Sequence, residues 1–365
     1  MFSEEALYLH ALNLLPAFGP ARLCLLLNQF GSFKKAFLAG ERELIQAGVD
    51  AEITKFFLQN RLSTNLEEET KKLEKAQINI LTFKDPTYPK LLLEIPKFPP
   101  ILYYRGVMPE PEELCVAVVG TRKISNYGRT VIPDLILPIV QMGVTIVSGM
   151  AFGVDSAAHQ VAVDSKKRTI AVLGGGLDDA SLYPKHHQLL AQTILGNGGA
   201  LLSEYPIGTP SLKHHFISRN RIISGLSVAT VIIECDIDSG SLITARHALE
   251  QNRTVYAVPG PIYSSVSQGP NNLLKMGAKP LTEANDILED LNLKQLPQNK
   301  KAGEILGDTP QENAILKILS REPVNINELI KQSGLQTGEA TSALTFLEMK
   351  GKVKNLGGQQ YILAR

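Results

Sequence analysis

This chain has almost no excess charge, very little cysteine, no long uninterrupted apolar run and no recognisable catalytic signature. Lys and Arg number 37 against 36 Asp and Glu, a formal charge of +1, so any nucleic-acid contact must come from a local patch and not from the bulk field. The three cysteines, Cys24, Cys115 and Cys235, lie far apart and have neither disulfide nor zinc-ligand spacing, which predicts reduced thiols in a cytoplasmic protein. The opening MFSEEALYLH is acidic where a secretory signal would be basic, so no export signal is expected. The long uncharged run from Leu135 to Val154 is broken by Pro138, Gly143, Gly149 and Gly153 and reads as helix, turn and buried strand, so no membrane contact is expected.

Enzyme signatures fail in the same way. There is no Walker P-loop, nucleophile elbow or paired CxxC. Gly174 and Gly176 begin a dinucleotide fingerprint, but Asp179 stands where its last glycine belongs. Ser148, Asp155 and His159 are close in sequence, yet Asp155 reads better as a helix N-cap and His159 as a packed side chain. The pairs His186, His187 and His214, His215 lack a carboxylate or cysteine at metal spacing. No catalytic residue, metal or cofactor is expected.

What is present is a cation cluster with an aromatic inside it. Ser211 to Leu226 reads SLKHHFISRNRIISGL, with Lys213, Arg219 and Arg221, no carboxylate, and Phe216 in the middle. Phosphates take Arg and Lys as ionic donors and an unstacked base takes a flat apolar face, so the combination suits a single-stranded nucleic acid. The competing reading is a buried Phe216 with locally paired arginines.

Residues 1–68 read as all-helical. LLPAFGPARLCLLLNQFGS resembles a helix-hairpin-helix, whose glycine turn can offer amides to a phosphate, but the charges balance and a packing module is the favoured reading. A charged helix follows near Asn65 to Ala76, then a Pro-rich, largely extended passage from Asp85 to Pro111. From Leu114 to about residue 290 the apolar runs CVAVVG, TIVSG, RTIAVLGG, GALLSEY, SVATVIIEC and RTVYAVPG alternate with amphipathic segments. Short, β-branched and nearly uncharged, they predict the parallel strands of a doubly wound α/β sheet, whose ligands sit outside the carboxyl ends of the strands. At those ends stand Gly120, Thr121 and Arg122; Ser148 and Gly149; the turn at Gly175; and Gly240 with Ser241. Glycine turns that feed helix N-termini can present free amides to an anion.

A polar linker is expected over 291–309, and 310–365 reads as a winged helix with its hairpin at Gly357 and Gly358. Its third helix carries Glu339, Thr341, Ser342, Thr345 and Glu348 and no arginine, which favours protein docking over DNA reading.

GTR at Gly120, SGMAFGVDSAAH from Ser148, TIAVLGGG from Thr169, SEYP from Ser203, HHFISRNRIISGLS from His214, SGSLITA from Ser239, AVPG from Ala257 and SQGPNNLL from Ser267 together resemble the DNA-processing protein A (DprA/Smf) family. The resemblance implies an extended Rossmann-like fold, mostly parallel, over 69–290, flanked by an N-terminal helical domain of the SAM or helix-hairpin-helix kind and the C-terminal winged helix. It implies a homodimer that binds single-stranded DNA, protects incoming strands in natural transformation and loads the recombinase RecA. By motif match the DNA contacts fall on Arg122, Lys213, Phe216, Arg219, Asn220 and Arg221, assisted by the turns at Ser148 and Gly240. The chain departs from the family at Ile217, where many members have proline, and at Cys235. A nucleotide-processing enzyme of the lysine-decarboxylase-like kind is the alternative, since such folds place substrates on the same rim. They resemble a PGGxGTxxE pattern, and DSGSLITARHALE has no such glycine run.

Overall fold

The computed structural model describes residues 2–293, 307–319 and 323–363. Most of the expected linker, 294–306, lies outside the described residues. The chain forms two compact units, Met1–Lys294 and Gln295–Arg365.

The first unit opens with helices α1 (Glu4–Asn13), α2 (Pro20–Phe30), α3 (Phe33–Leu38), α4 (Glu41–Gln46), α5 (Ala51–Arg61) and α6 (Leu66–Lys75). Their ends follow side-chain chemistry: Ser3, Ser32, Asp50 and Asn65 cap first-turn amides, and Gly31 closes α2 in the left-handed region with φ +69°. Strand β1 (Asn79–Thr82), the short α7 (Lys90–Leu93) and β2 (Ile101–Gly106) follow. The passage from Asp85 to Pro111, expected to be largely extended, therefore contains a helical turn and a strand, and the sheet begins at Asn79, with β1 and β2, and not at Leu114. These two pair antiparallel with each other, and β2 pairs antiparallel with β6 (Ala200–Ser203), as an edge on a parallel sheet.

The six runs expected as parallel strands are all strands: β3 (Cys115–Val119), β4 (Thr145–Ser148), β5 (Thr169–Leu173), β6, β7 (Ala229–Ile232) and β8 (Thr254–Ala257). A short β9 (Lys279–Pro280) completes the order β1-β2-β6-β5-β4-β3-β7-β8-β9. Helices α8 (Asn126–Gln141), α9 (Val154–Asp164), α10 (Gln188–Gly196), α11 (Lys213–Gly225), α12 (Gly240–Glu250), α13 (Gln268–Lys275) and α14 (Asn285–Asp290) alternate with the strands. The chain steps outward from β3 in one direction to β6, then returns to the other side of β3 with β7. That reversal is the switch point at which doubly wound sheets leave a crevice.

Alternation along the strands divides the core cleanly. Ile101, Tyr103, Ala171, Leu173 and Leu201 face one cluster, and Leu102, Ile170, Val172, Ala200 and Leu202 face the other. The first cluster also contains Leu9, Leu12, Phe18, Leu26, Phe33 and Phe57, so the N-terminal helices share a core with the sheet. His10 Nδ1 lies 2.8 Å from Tyr103 Oη, and Asn13 donates to Tyr103 Oη and to the Glu204 carbonyl. The packing-module reading of this segment agrees with those contacts. No described helix is long and apolar enough to cross a membrane.

The second unit holds α15 (Pro310–Ile318), β10 (Val324–Asn325), α16 (Ile326–Ser333), α17 (Thr337–Met349), β11 (Val353–Gly357) and β12 (Gln360–Leu363), with sheet order β10-β12-β11. Gly357 and Gly358, at φ +87° and +59°, turn the wing as the sequence predicts. Ile315, Leu329, Ala340, Leu344 and Leu347 form its core.

Candidate nucleic-acid interface

A cavity of about 680 Å³ lies at the carboxyl ends of the strands, beside the switch point. Gly120 and Arg122 come from the turn after β3, Ala151 from that after β4, Asp155 from the first turn of α9, and Tyr183 from the turn after β5. Lys213, Phe216, Arg219 and Asn220 come from α11, and Ser239 to Ser241 from the start of α12.

The decisive local feature is that the cation cluster is a helix. Phe216, Arg219, Asn220 and Ile223 line this cavity, spaced i, i+3, i+4 and i+7. Arg221 lies on another face of the same helix, among the residues of a different groove that also includes His214 and Ser218. Residues adjacent in the motif are thereby sent to different sides.

Phe216 is half-buried, neither a core residue nor a free ring. The Arg122 guanidinium lies 5.7 Å from its centroid, that of Arg219 5.8 Å, and the Tyr183 ring 5.8 Å. A Cβ at Gly174 would come within 2.9 Å of the Phe216 ring, so this close approach requires glycine there. Ile217, at 44% exposure, also lines the cavity, and α11 runs through it without interruption.

The two arginines expected to neutralise phosphates are already engaged. Arg219 is 4% exposed and donates from Nη1 to the Gly149 carbonyl at 2.9 Å and to the Val172 carbonyl. Burial pulls its pKa down to about 10, with Asp155 acting in the opposite direction, so it is charged at neutral pH. Arg221 donates from Nη2 to both oxygens of Glu204 at 2.5 and 2.7 Å, with the two side chains only 11% and 8% exposed. Burial pushes the Glu204 carboxyl up, and the charge of Arg221 opposes that. Both arginines, expected as phosphate contacts, are held by partners within the protein. The exposed cations that line the cavity are Arg122 and Lys213, neither of which forms an ion pair among the described residues.

Several of the glycine-turn groups are likewise engaged within the protein. The Gly149 amide donates to Asp155 Oδ2, and Ser148 donates from Oγ to the Val118 carbonyl. The first is occupied within the turn and the second by the neighbouring strand β3. Asp155 is the second residue of α9, and its carboxylate gathers the amides of Gly149 and Ala151 instead of capping the helix start, which is at Gly153. Thr121 donates its amide to the Glu234 carbonyl at 2.6 Å, which leaves the Arg122 side chain as the feature that GTR presents. Gly175 is buried beneath Ser211 and Thr209. Gly240 is exposed, with nothing within 4 Å of where a Cβ would stand, and its carbonyl accepts from Asn220 Nδ2 at 3.1 Å. Here alone the expected close backbone approach is open, next to the Ser241 amide that Ser239 Oγ caps.

Nothing in the cavity forms a hydrolytic triad. His159 Nδ1 is 2.7 Å from Thr169 Oγ1, whose hydroxyl proton goes to the Ile146 carbonyl, so the imidazole is the donor in that pair. Burial takes the His159 pKa down to about 3, which leaves it neutral. Among the described residues no cluster of His, Cys, Asp or Glu could hold a metal ion. Sequence reasoning missed Tyr183 and Asp238, which also line the cavity: the turn of Tyr183 carries no run of charge or glycine, and Asp238 stands one residue outside the SGSLITA motif.

Residues 79–292 match the family model described as DNA recombination-mediator protein A, and 299–359 match a DprA winged helix domain. Protein Smf of Synechocystis sp. is 31% identical, with 99% of each chain covered. Among solved structures, DNA processing protein A of Streptococcus pneumoniae superposes with a TM-score of 0.66 at 31% identity, covering 78% of this chain and 95% of that one. DNA processing protein A of Helicobacter pylori, described by its single-stranded DNA binding mode, gives a TM-score of 0.52 at 29% identity, over 59% of this chain and 96% of that one.

Proposed function

Because the chain belongs to the DNA recombination-mediator protein A family, we propose that its switch-point cavity binds single-stranded DNA without regard to sequence and without chemical turnover. The observation that carries the reading is the half-buried Phe216 ring set between guanidiniums on the cavity wall, with Arg122 and Lys213 exposed beside it. A flat apolar face flanked by cations holds a base and its phosphates whatever the base is. Binding without turnover is supported by Ser148, Asp155 and His159, each of which is directed to a different partner. The contacts belong to Arg122, Lys213, Phe216, Asn220 and the exposed turn at Gly240 and Ser241. Protection of incoming strands in natural transformation and loading of RecA, by a homodimer in the cytoplasm, are the roles this binding serves.

The test is an anisotropy titration of labelled homopolymer strands and of a duplex of equal length. Comparable affinity for thymidine and cytidine strands, and weaker binding of the duplex, is the expected result. Preference for the duplex, or strong discrimination between bases, overturns the reading. A companion assay follows RecA filament growth on strands pre-bound by the protein, where no acceleration rejects the loading role.

A further inference from the structure

A second groove, of about 870 Å³, begins on the other side of α11 from the cavity. Leu14 and Leu15, from the turn between α1 and α2, line it together with Leu212. Tyr205 and His215, whose rings stack at 4.0 Å and 22°, line it as well. Its lining is thus apolar and aromatic, as in pockets that take a ligand-sized group.

The charge around it has one sign. Arg22 and Lys97 line the groove and are exposed, as is His214. The one carboxylate in its lining, Glu204, is held on both oxygens by Arg221. Between this groove and the cavity stands the N-terminus of α11, where Leu212 provides no side-chain cap and the next residue is Lys213. Ser211 and Lys213 line the cavity while Leu212 and His214 line the groove, so a chain only a few bonds long passes from one to the other.

We propose that this groove is a second station for the same DNA strand: a strand seated in the cavity continues round the N-terminus of α11 and lays its following bases against the Tyr205–His215 stack and the leucines. The inference rests on the single-strand reading above. Charge complementarity selects the occupant, because a polyanion that carries flat apolar groups satisfies both the positive lip and the apolar lining. The α1–α2 turn, folded into the core of the sheet, then has a binding role beyond packing.

The test uses the full chain, with labelled oligothymidines of about four and about fifteen nucleotides. Ala21→Glu places a carboxylate on an exposed part of the groove, and Lys97→Gln removes an exposed cation; neither residue is in the core. Both variants are expected to melt like the parent, to bind the short strand like the parent, and to weaken the long strand about tenfold, the order of one lost base contact. Equal weakening at both lengths, or an undisturbed long strand, overturns the second station; the latter points to a peptide as occupant. A parent protein that binds neither length overturns the single-strand reading itself, a result distinguishable from failure of the groove alone.

Discussion

The guanidinium of Arg122 lies 5.7 Å from the centroid of the Phe216 ring. The two come from different elements, the turn after β3 and the first half of α11, and they meet only because the strand order reverses between β3 and β7. Arg219 approaches the same ring at 5.8 Å from a buried position, so one guanidinium is held within the frame and the other is exposed to a ligand. That difference between a buried and an exposed cation organises the predictions for this site.

Phe216→Ala is expected to weaken single-strand binding by about 1–3 kcal/mol, the value of one stacked base, and to leave the salt slope nearly unchanged. The ring is half-buried, so a melting temperature close to the parent's is expected as well. Titration at several salt concentrations, together with a thermal melt, checks this. A variant that melts much earlier and binds normally when folded shows the ring to be core and nothing more.

The salt dependence follows from which cations are free. Four phosphate contacts on a single strand would give a slope of log K against log salt near −3, at about −0.7 each. With Arg219 and Arg221 engaged inside the protein, a strand short enough to occupy only the cavity meets Arg122 and Lys213, for roughly −1.4. Lys213→Ala is expected to halve that. A short-strand slope near −3 in the parent shows that a buried arginine is released on binding.

Arg219→Ala and Arg221→Ala are expected to act on the fold before they act on DNA. Arg221→Ala breaks the buried pair with Glu204, a loss of roughly 3–5 kcal/mol, and Arg219→Ala leaves the buried Gly149 and Val172 carbonyls without their donor and Asp155 without the charge that opposes its burial. Denaturant midpoints measure this. Replacing Glu204 and Arg221 together by leucine and methionine removes both charges and is expected to restore most of the lost stability. If the single variants melt like the parent, the two arginines are not structural.

Much of this was legible in the chain, and the exceptions have physical reasons. All six parallel strands stood out because both faces of each are covered and the runs are uniformly apolar. β1 and β2 did not: they are short antiparallel strands at one side of the sheet, separated by a proline-rich passage, and the partners of β2, 94 to 100 residues away in β6, are invisible to local pattern. The cluster at 213–221 was found by its charge, but its roles were not, since those depend on helical phase and on partners such as Glu204, which sits in the SEYP motif with nothing to mark it as the mate of Arg221.

Acid stability is expected to depend on His159. Its folded pKa of about 3 lies below the ordinary 6.5 because the ring is fully buried, so between those values the unfolded chain binds the proton and the folded one does not. The sign follows: the contribution is complete above pH 6.5 and is lost, at up to about 1.4 kcal/mol per pH unit, as pH falls toward 3. His159→Asn removes the titrating group, so its stability is expected to fall less steeply over that window. Denaturant melts at intervals of pH check this, and parallel curves for parent and variant refute it.

The last prediction separates the two units. Every residue lining the cavity or the second groove lies between Asn13 and Thr244, inside the unit that ends at Lys294 and carries its own two-sided core. A chain shortened to residues 1–293 is therefore expected to melt cooperatively and to keep most of the single-strand affinity. The winged helix presents Thr341, Thr345, Phe346 and Met349 as exposed on α17, with Glu348 beside them and no arginine, a surface poorly matched to a phosphate backbone. If removing it abolished binding while the remaining unit stayed folded by circular dichroism, the winged helix would be the reader, and the cavity around Phe216 would lose its assignment. If affinity persists and only RecA filament growth changes, the winged helix belongs to the protein-contacting side of the molecule.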